Sequence, residues 1–436
     1  MTLRFNAMVS WLTGRSVRKP RRHIVTILSV AAVSGLTIGL HIQLWSRGPA
    51  EPYIIAAEDV WTGRIGPGLY DDGALADRTA GMTKGRVRDI FSPSPPSLSL
   101  LLLPLAWLPA SDRSNVWLAL NLGSVWMTFW LVARMTSWPT RRPLFAVAAA
   151  AFFLLSEPFA ENLARGQIYA LLMSSTAAAM MAARGSVLGP ARGLAICAIA
   201  KLWGGPMWLA LMTARVWRTL LVASLVTLSG LMLSLYVTGL DTWHEYLWVV
   251  LPRWISTPVA TVTAHQTIPA ALAHLMRMDP QWNPHPAFAN VPLLVFLAPA
   301  TSFVLLVVTA RTILKAQDPT AGIAASIVLS ILVSPLGEQY HYLLLVPSCA
   351  VAIELAADGG GRRTAMLVLS LLLLGLPLPF KSSRVGELGF GVLSYPRLAG
   401  GLLLWLFLVT TRPHAPSLAS MPGKIISETT PHTVPA

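Results

Sequence analysis

The sequence predicts an all-α polytopic membrane protein, and three observations support that prediction. Of the 436 residues, 54% are hydrophobic and only 12% are charged, and the mean hydropathy is +0.59. Soluble globular chains carry about a quarter charged residues, which makes a large soluble helical protein a poor alternative. The apolar residues also form many runs of roughly membrane-spanning length. The net charge of +14 is concentrated in short segments between these runs, without any nucleic-acid-binding motif.

The apolar runs predict about twelve transmembrane helices that form one domain over residues 24–411. We place the crossings at 24–45, 114–133, 143–156, 167–183, 190–201, 205–214, 217–238, 290–310, 320–333, 340–357, 364–380 and 394–411. The sequence WGGP interrupts the short pair at 190–214, and this predicts a tight hairpin. The Pro-flanked apolar segment at 95–109 is too short to count as a crossing, so we interpret it as a juxtamembrane or re-entrant helix on the outer face.

Charge placement predicts the orientation of these helices. The N-terminal segment 1–23 is basic and contains no acidic residue, which favours a cytoplasmic N-terminus. The following apolar run is too long for a cleavable signal peptide. The inner turns are then short and basic, whereas most carboxylates fall in three outer loops, at 46–113, 239–289 and 381–393. We therefore expect a multi-pass protein of the plasma (inner) membrane that works on the extracytoplasmic face, with a disordered cytoplasmic tail over 412–436.

The first outer loop offers carboxylates as candidate general bases. The segment EPYIIAAEDVW follows the first predicted span and contains Glu51, Glu58 and Asp59. A carboxylate near the bilayer surface, partly shielded from water, can remove a proton from a substrate. The alternative is a solvated acidic loop without a catalytic role.

Polar residues at the ends of apolar runs are candidate ligand-binding groups. Lys201 lies in the run AICAIAKLWGGP, where a lysine is costly unless it is paired or functional. It could bind an anion together with the N–H groups around Gly204, or it could only extend to lipid headgroups. Gln167 opens another span, and an amide there needs a partner.

Two further segments supply donors and a polar cluster. Arg253 and Gln266 in the second long loop suit a phosphate or a sugar, although interface anchoring is the alternative. The segment SPLGEQYHY separates two apolar spans and contains Glu338, Tyr340 and His341. Cys197 and Cys349 lie in apolar spans and indicate neither a disulfide framework nor a metal site.

The order of these segments resembles family 87 of the C-type glycosyltransferases, the polyprenol-phosphate-sugar-dependent mannosyl- and arabinosyltransferases of actinobacterial envelopes. The similarity covers nearly the whole chain and is carried by FSPSPPSLSLLLLPLAWLP, GQIYALL, KLWGGP, HQTIPAALAHLMR and SPLGEQYHYLLL. The family usually has an aspartate a few residues after the first span and an asparagine at the position of Tyr169. Here the acidic residue in that window is Glu51, and Asp59 follows eight residues later.

The resemblance implies the C-type glycosyltransferase fold, with juxtamembrane helices on the outer face, and an inverting transfer. We assign no metal-binding residues and no cofactor, and the sequence does not determine the metal requirement. The sugar, with mannose favoured, would pass from a polyprenyl-phosphate donor to an extracytoplasmic glycolipid or glycan. Glu51 or Asp59 would act as the base, and the substrates would contact Lys201, His341, Gln167, Arg253, Gln266, Tyr340 and Glu338. Arabinofuranosyl transfer, a diverged non-catalytic scaffold and a transporter are the alternatives. We find no internal repeat of the kind that many secondary transporters show.

Overall fold

The computed structural model describes residues 51–82, 90–137, 139, 142–256, 261–280, 283–357, 360–380 and 394–411. These residues form helices and connecting turns, with no β-strand among them. The basic N-terminal segment, the predicted span at 24–45, the loop at 381–393 and the tail at 412–436 lie outside the described residues.

Short helices precede the first long one. They are α1 (Glu51–Trp61), α2 (Asp72–Met82), α3 (Pro96–Leu101) and α4 (Leu103–Ala106). All four lie in the predicted first outer loop, and α3 and α4 together cover most of its Pro-flanked segment at 95–109. The expected helix in this segment is therefore present, divided near Leu102.

Most of the remaining helices overlap predicted spans. In chain order they are α5 (Ala110–Met135), α6 (Pro143–Leu154), α7 (Glu157–Ala164), α8 (Tyr169–Met180), α9 (Leu188–Lys201), α10 (Gly205–Thr213), α11 (Trp217–Thr238), α12 (Leu240–Glu245), α13 (Leu251–Ser256), α14 (Ile268–Met276), α15 (Val291–Lys315), α16 (Thr320–Leu332), α17 (Val346–Ala356), α18 (Gly361–Gly375) and α19 (Pro396–Thr410). Every predicted span after the first coincides with a helix of this set, whereas α7, α12, α13 and α14 lie outside the predicted spans.

The count of twelve crossings is not confirmed. Within the described ranges, only α5, α11 and α15 are long and apolar enough to cross a membrane, and a fourth span results if α6 and α7, bent by 47°, are one crossing. The other helices are shorter, and the predicted span at 340–357 begins with a 3₁₀ segment, Gln339–Leu345. An α-helix rises about 1.5 Å per residue, so these shorter helices do not extend across the roughly 30 Å hydrocarbon layer.

The short apolar helices form the centre of the bundle, and two of the long ones form its exterior. Every residue of α16 is buried, as expected for a helix that is apolar on all sides. In contrast, α11 and α15 expose large apolar side chains such as Leu225 and Phe296. Apolar faces of this size are typical of surfaces that contact lipid or another protein.

A small residue allows two central helices to approach closely. A Cβ atom at Gly193 in α9 would lie 2.2 Å from the Ser175 carbonyl oxygen in α8, so no larger residue fits without a shift of the backbone. Close approach through small residues is a usual device of membrane helix packing. It brings the end of α9, which carries Lys201, next to the start of α8.

A buried ion pair connects three helices at the same end of the bundle. The guanidinium of Arg397 in α19 is fully buried and donates hydrogen bonds to the Glu157 carboxylate of α7 and, at 2.5 Å, to the Leu373 carbonyl of α18. At the opposite end, Ser137 donates its backbone N–H to the Glu354 carboxylate at 3.0 Å. Both ends are therefore held by polar contacts between helices that are distant in sequence.

Candidate active site

A loop before α3 brings a serine to the end of the helical bundle. Tyr70 donates a hydrogen bond of 3.0 Å to the Ser94 carbonyl, and its ring stacks on Tyr246 with centroids 5.7 Å apart. The ring of Phe91 contacts those of Tyr70 and Tyr53 at 5.9 and 6.4 Å. These aromatic contacts hold the loop against α1 and position the Ser94 hydroxyl.

Lys201 is the last residue of α9, and its ammonium points to this loop. Leu202 and Gly204 follow with φ values of 47° and 104°, which end the helix and reverse the chain; the value at 204 favours glycine. The Nζ atom donates to Ser94 Oγ at 2.7 Å and to the Tyr53 hydroxyl at 3.4 Å. A cation in the last turn of a helix is also stabilised by the helix dipole.

Two tyrosine rings lie next to the same ammonium. Lys201 Nζ is 5.1 Å from the ring centroid of Tyr53 and 5.8 Å from that of Tyr169, distances at which cation–π attraction operates. The half-buried lysine is therefore directed into a polar and aromatic cluster of the protein. This geometry directs the ammonium into the protein rather than to lipid headgroups.

Gln167 joins this cluster through its side-chain amide. The Tyr53 hydroxyl donates a hydrogen bond to Gln167 Oε1, so the amide that the sequence placed at a helix start is paired. The turn before α8 is held by Asn162, whose Oδ1 accepts from the Tyr169 backbone N–H at 3.1 Å. This turn orients both Gln167 and Tyr169.

Tyr169 connects the lysine cluster to the predicted SPLGEQYHY cluster. Its hydroxyl lies 2.7 Å from His341 Nε2, and His341 Nδ1 lies 3.1 Å from the Glu338 carbonyl oxygen. Tyr340 stacks on His341 with centroids 4.8 Å apart and contacts Tyr169 at 5.1 Å. We call the group Tyr53, Ser94, Gln167, Tyr169, Lys201, Tyr340 and His341 the lysine–histidine cluster.

The structure describes the contacts of the candidate base Asp59 but not the side chain of the candidate base Glu51. Asp59 is buried, and its carboxylate accepts from Arg64 at 2.9 Å and from Arg78 at 2.7 and 3.0 Å. The hydrogen bond to Asp59 raises the pKa of Arg78, a sign of a tight ion pair. Glu51 is the first residue of α1, two positions before Tyr53, and its side chain lies outside the described part of the chain.

The other predicted binding residues lie in contacts outside the lysine–histidine cluster. Arg253 donates to the Asp72 carboxylate at 2.6 Å, near the surface. Gln266 is buried, and its Nε2 donates to the carbonyls of Thr263 and Ser394 at 2.6 and 2.8 Å. Its Oε1 accepts from the Arg397 backbone N–H at 3.1 Å, so both amide atoms are bonded to backbone.

Sequence reasoning did not assign roles to Tyr53, Ser94 or Tyr169. The first two lie within quoted segments, EPYIIAAEDVW and FSPSPP, but neither residue type is unusual there. Tyr169 was noticeable only as a departure from the family pattern. Among the residues that the structure describes, no group of three or more His, Cys, Asp or Glu side chains could hold a metal ion.

Comparisons with known proteins agree with one another. A family model described as glycosyltransferase family 87 matches residues 94–335, which include Lys201 and Tyr169. A polyprenol-phosphate-mannose-dependent alpha-(1-2)-phosphatidylinositol pentamannoside mannosyltransferase of Mycolicibacterium smegmatis is 23% identical over 330 residues, or 74% of this chain and 75% of the relative. A polyprenol-phosphate-mannose-dependent alpha-(1-2)-phosphatidylinositol mannoside mannosyltransferase of Mycobacterium tuberculosis is 27% identical over 307 residues, or 65% of this chain and 66% of the relative. No solved structure matches the chain significantly.

Proposed function

This chain belongs to glycosyltransferase family 87, and we propose that it transfers mannose from a polyprenyl-phosphate donor to a hydroxyl of a glycolipid or glycan acceptor. Both relatives are named as polyprenol-phosphate-mannose-dependent mannosyltransferases, and this supports the donor class. The observation that carries the proposal is the position of Lys201, whose ammonium lies among hydroxyl and aromatic groups at one end of an apolar bundle.

In this reaction, the leaving group is a lipid phosphate, and negative charge increases on it as the glycosidic bond breaks. The Lys201 ammonium supplies the positive charge for that phosphate, and the Ser94 hydroxyl, which accepts from Lys201, is a neighbouring donor. His341 acts through Tyr169: its Nδ1 donates to the Glu338 carbonyl and its Nε2 bonds the Tyr169 hydroxyl, which holds the Tyr169 ring beside Lys201. Donors that are already in place stabilise developing charge without reorganisation, which is a large contribution to catalysis.

Glu51 is the base in this proposal. The acceptor oxygen attacks the anomeric carbon, the bond from that carbon to the phosphate oxygen breaks, and its electron pair leaves with the phosphate. The hydroxyl proton passes to the base, and the anomeric configuration inverts. Both oxygen atoms of the Asp59 carboxylate are bonded to guanidinium groups, so neither is free to contact an acceptor hydroxyl. Glu51 is the first residue of the helix that carries Tyr53, and it occupies the window after the first predicted span that the family resemblance assigns to the base.

The other residues have supporting roles in the same proposal. Gln167 orients the Tyr53 hydroxyl, and Tyr340 forms part of the aromatic wall beside His341. Gln266 acts as a positioning residue, because it joins the loop at 263 to Ser394 and Arg397. Arg253 holds the second loop to Asp72 and would meet a substrate only at the rim.

The proposed reaction occurs on the extracytoplasmic face of the plasma membrane. The asymmetry between short basic turns and long loops that hold most of the carboxylates supports this orientation. The lysine–histidine cluster lies at the end of the bundle that carries these long loops, so donor and acceptor would meet on that side. The lipid tail of the donor would remain in contact with the apolar exterior of the bundle.

A reconstituted assay tests the proposal against arabinofuranosyl transfer. The purified protein in lipid nanodiscs is supplied with radiolabelled polyprenyl-phosphate mannose or polyprenyl-phosphate arabinofuranose, together with phosphatidylinositol mannosides as acceptors. We expect a labelled glycolipid from the mannose donor. Product from the arabinose donor alone would favour the arabinofuranosyl alternative, and product from neither donor would overturn the proposal for these substrates.

A further inference from the structure

Two loops meet beside the lysine–histidine cluster and form a second polar region. The Gln266 backbone N–H donates to the Gly337 carbonyl at 2.8 Å, which brings His265 next to Glu338. The approach is close, because a Cβ atom at Gly337 would lie 2.4 Å from Thr267 Cγ2. A carboxylate and an imidazole that are 73 residues apart in the numbering (338 and 265) are thus brought together by backbone contacts.

The Glu338 carboxylate has charged and polar neighbours but no bonded partner. It is half-buried and interacts electrostatically with Arg165, Tyr169, Tyr340 and His265. Within the described ranges, however, it accepts no hydrogen bond and forms no ion pair. Arg165, the cation among these four neighbours, bonds Glu161 at 2.8 Å.

Buried donors and acceptors nearby are also without partners. His265 Nδ1 and both amide atoms of Gln339 lack a hydrogen bond within the described part of the chain, although these side chains are only 6% and 1% exposed. Burial lowers the pKa of His265, so its ring is neutral and offers one donor and one acceptor. An unpaired buried polar atom costs about 1–3 kcal/mol, so such atoms are candidates for binding a ligand or ordered water.

We propose that Glu338 and His265 bind hydroxyl groups of a sugar, with the rings of Tyr169 and Tyr340 beside it. This inference rests on the proposed function. A carboxylate disfavours phosphate and accepts hydrogen bonds from neutral hydroxyls, so it complements the anion-binding Lys201. Tyr169 contacts both regions, since its ring lies 5.8 Å from Lys201 Nζ and its hydroxyl bonds His341.

The sugar could be that of the donor or that of the acceptor, and substrate analogues distinguish them. The experiment compares the wild-type protein with Glu338→Gln, using complete substrates and monodeoxy analogues of each sugar. The control is Glu245→Gln, which changes a half-buried carboxylate in the second long loop. Correct folding is checked for each variant by monodisperse elution and by its Tm.

We expect Glu338→Gln to reduce kcat/KM by about 10- to 100-fold, as for loss of a charge-assisted hydrogen bond, and Glu245→Gln to have no effect. With the wild type, kcat/KM for one deoxy analogue should be lower than for the complete substrate by a similar factor. With Glu338→Gln, the same analogue and the complete substrate should give nearly equal kcat/KM. If that analogue is a donor, Glu338 binds the transferred sugar; if it is an acceptor, Glu338 binds the acceptor.

The inference would be overturned if each analogue lowered kcat/KM by the same factor in the wild type and in Glu338→Gln. Full activity of Glu338→Gln would also overturn it. Activity of the wild type with complete substrates reports separately on the proposed function. If Glu338→Gln fails to fold, the analogues are compared with the wild type alone. A wild type whose kcat/KM is unchanged by removal of any single hydroxyl would contradict a hydroxyl-binding site.

Discussion

The Tyr169 hydroxyl lies 2.7 Å from His341 Nε2, and this contact joins residues that are 172 positions apart in the chain. It places the start of α8 against the 3₁₀ segment before α17. Because the Tyr169 ring also lies 5.8 Å from Lys201 Nζ, one side chain connects the lysine to the histidine. The proposed phosphate site therefore depends on a tyrosine to which the sequence assigned no role.

Tyr169→Phe should weaken activity without removing it. The ring contacts with Lys201 and Tyr340 remain, but His341 loses the hydroxyl that orients its ring. A neutral hydrogen bond contributes about 0.5–1.5 kcal/mol, so we expect a decrease of roughly 3- to 10-fold in kcat/KM. Tyr236→Phe is the control, because Tyr236 is 87% exposed, and it should behave as the wild type. Equal rates for both variants would contradict an orienting role.

Lys201→Met should lower activity with the lipid donor by about 10²–10³-fold, the usual effect of removing one donor to a developing anion. Methionine keeps a similar length, so the helix and the hairpin after it should remain folded. Lys315→Met removes an exposed lysine from the last turn of α15 and serves as the control. Unchanged turnover of Lys201→Met, measured with labelled donor, would reduce Lys201 to a structural or interfacial role.

Glu51→Gln and Asp59→Asn should separate the base from its neighbour. Loss of a general base costs about 10²–10⁴-fold in rate, so Glu51→Gln should lower kcat strongly while donor binding is retained. Asp59→Asn should mainly lower Tm, because it leaves Arg64 and Arg78 without their buried partner. The measurements are single-turnover rates, donor binding and thermal unfolding. A larger loss of kcat for Asp59→Asn than for Glu51→Gln would reverse the assignment.

Arg397→Met should destabilise the protein by about 3–5 kcal/mol, because it leaves the Glu157 carboxylate without its buried partner. The variant also loses donors to the carbonyls of Leu373 and Leu376. The double variant Arg397→Met with Glu157→Gln should recover part of the lost Tm, since no unpaired charge remains. If the decrease in Tm of the double variant equals the sum of the decreases for Arg397→Met and Glu157→Gln, the two residues are not coupled.

Labelling of single cysteines should establish the orientation. After replacement of Cys197 and Cys349, a membrane-impermeant maleimide applied to intact cells should label Asp71→Cys and Arg253→Cys. Arg215→Cys and Arg362→Cys should react only after the membrane is opened. The charge asymmetry of the loops motivates this expectation. The reverse pattern would place the lysine–histidine cluster on the cytoplasmic side.

Much of the helical framework could be predicted because hydropathy and helix-breaking residues act locally. The predicted spans at 217–238 and 320–333 coincide almost residue for residue with α11 and α16. The number of crossings could not be predicted in the same way. Short apolar helices inside the bundle, such as α16, and membrane-spanning helices are equally apolar in sequence, and only their length and surroundings separate them.

The family resemblance and the order of its motifs could be recognised from the amino-acid sequence. Lys201 was also identifiable as unusual, because a lysine is costly in an apolar run wherever the helix packs. The partners of the polar groups, in contrast, depend on how the helices pack. The tertiary structure paired Asp59 with Arg64 and Arg78, and it bonded the Gln266 amide to backbone. Hydrogen bonds extend about 3 Å, and residues distant in the chain come within that range only when helices pack.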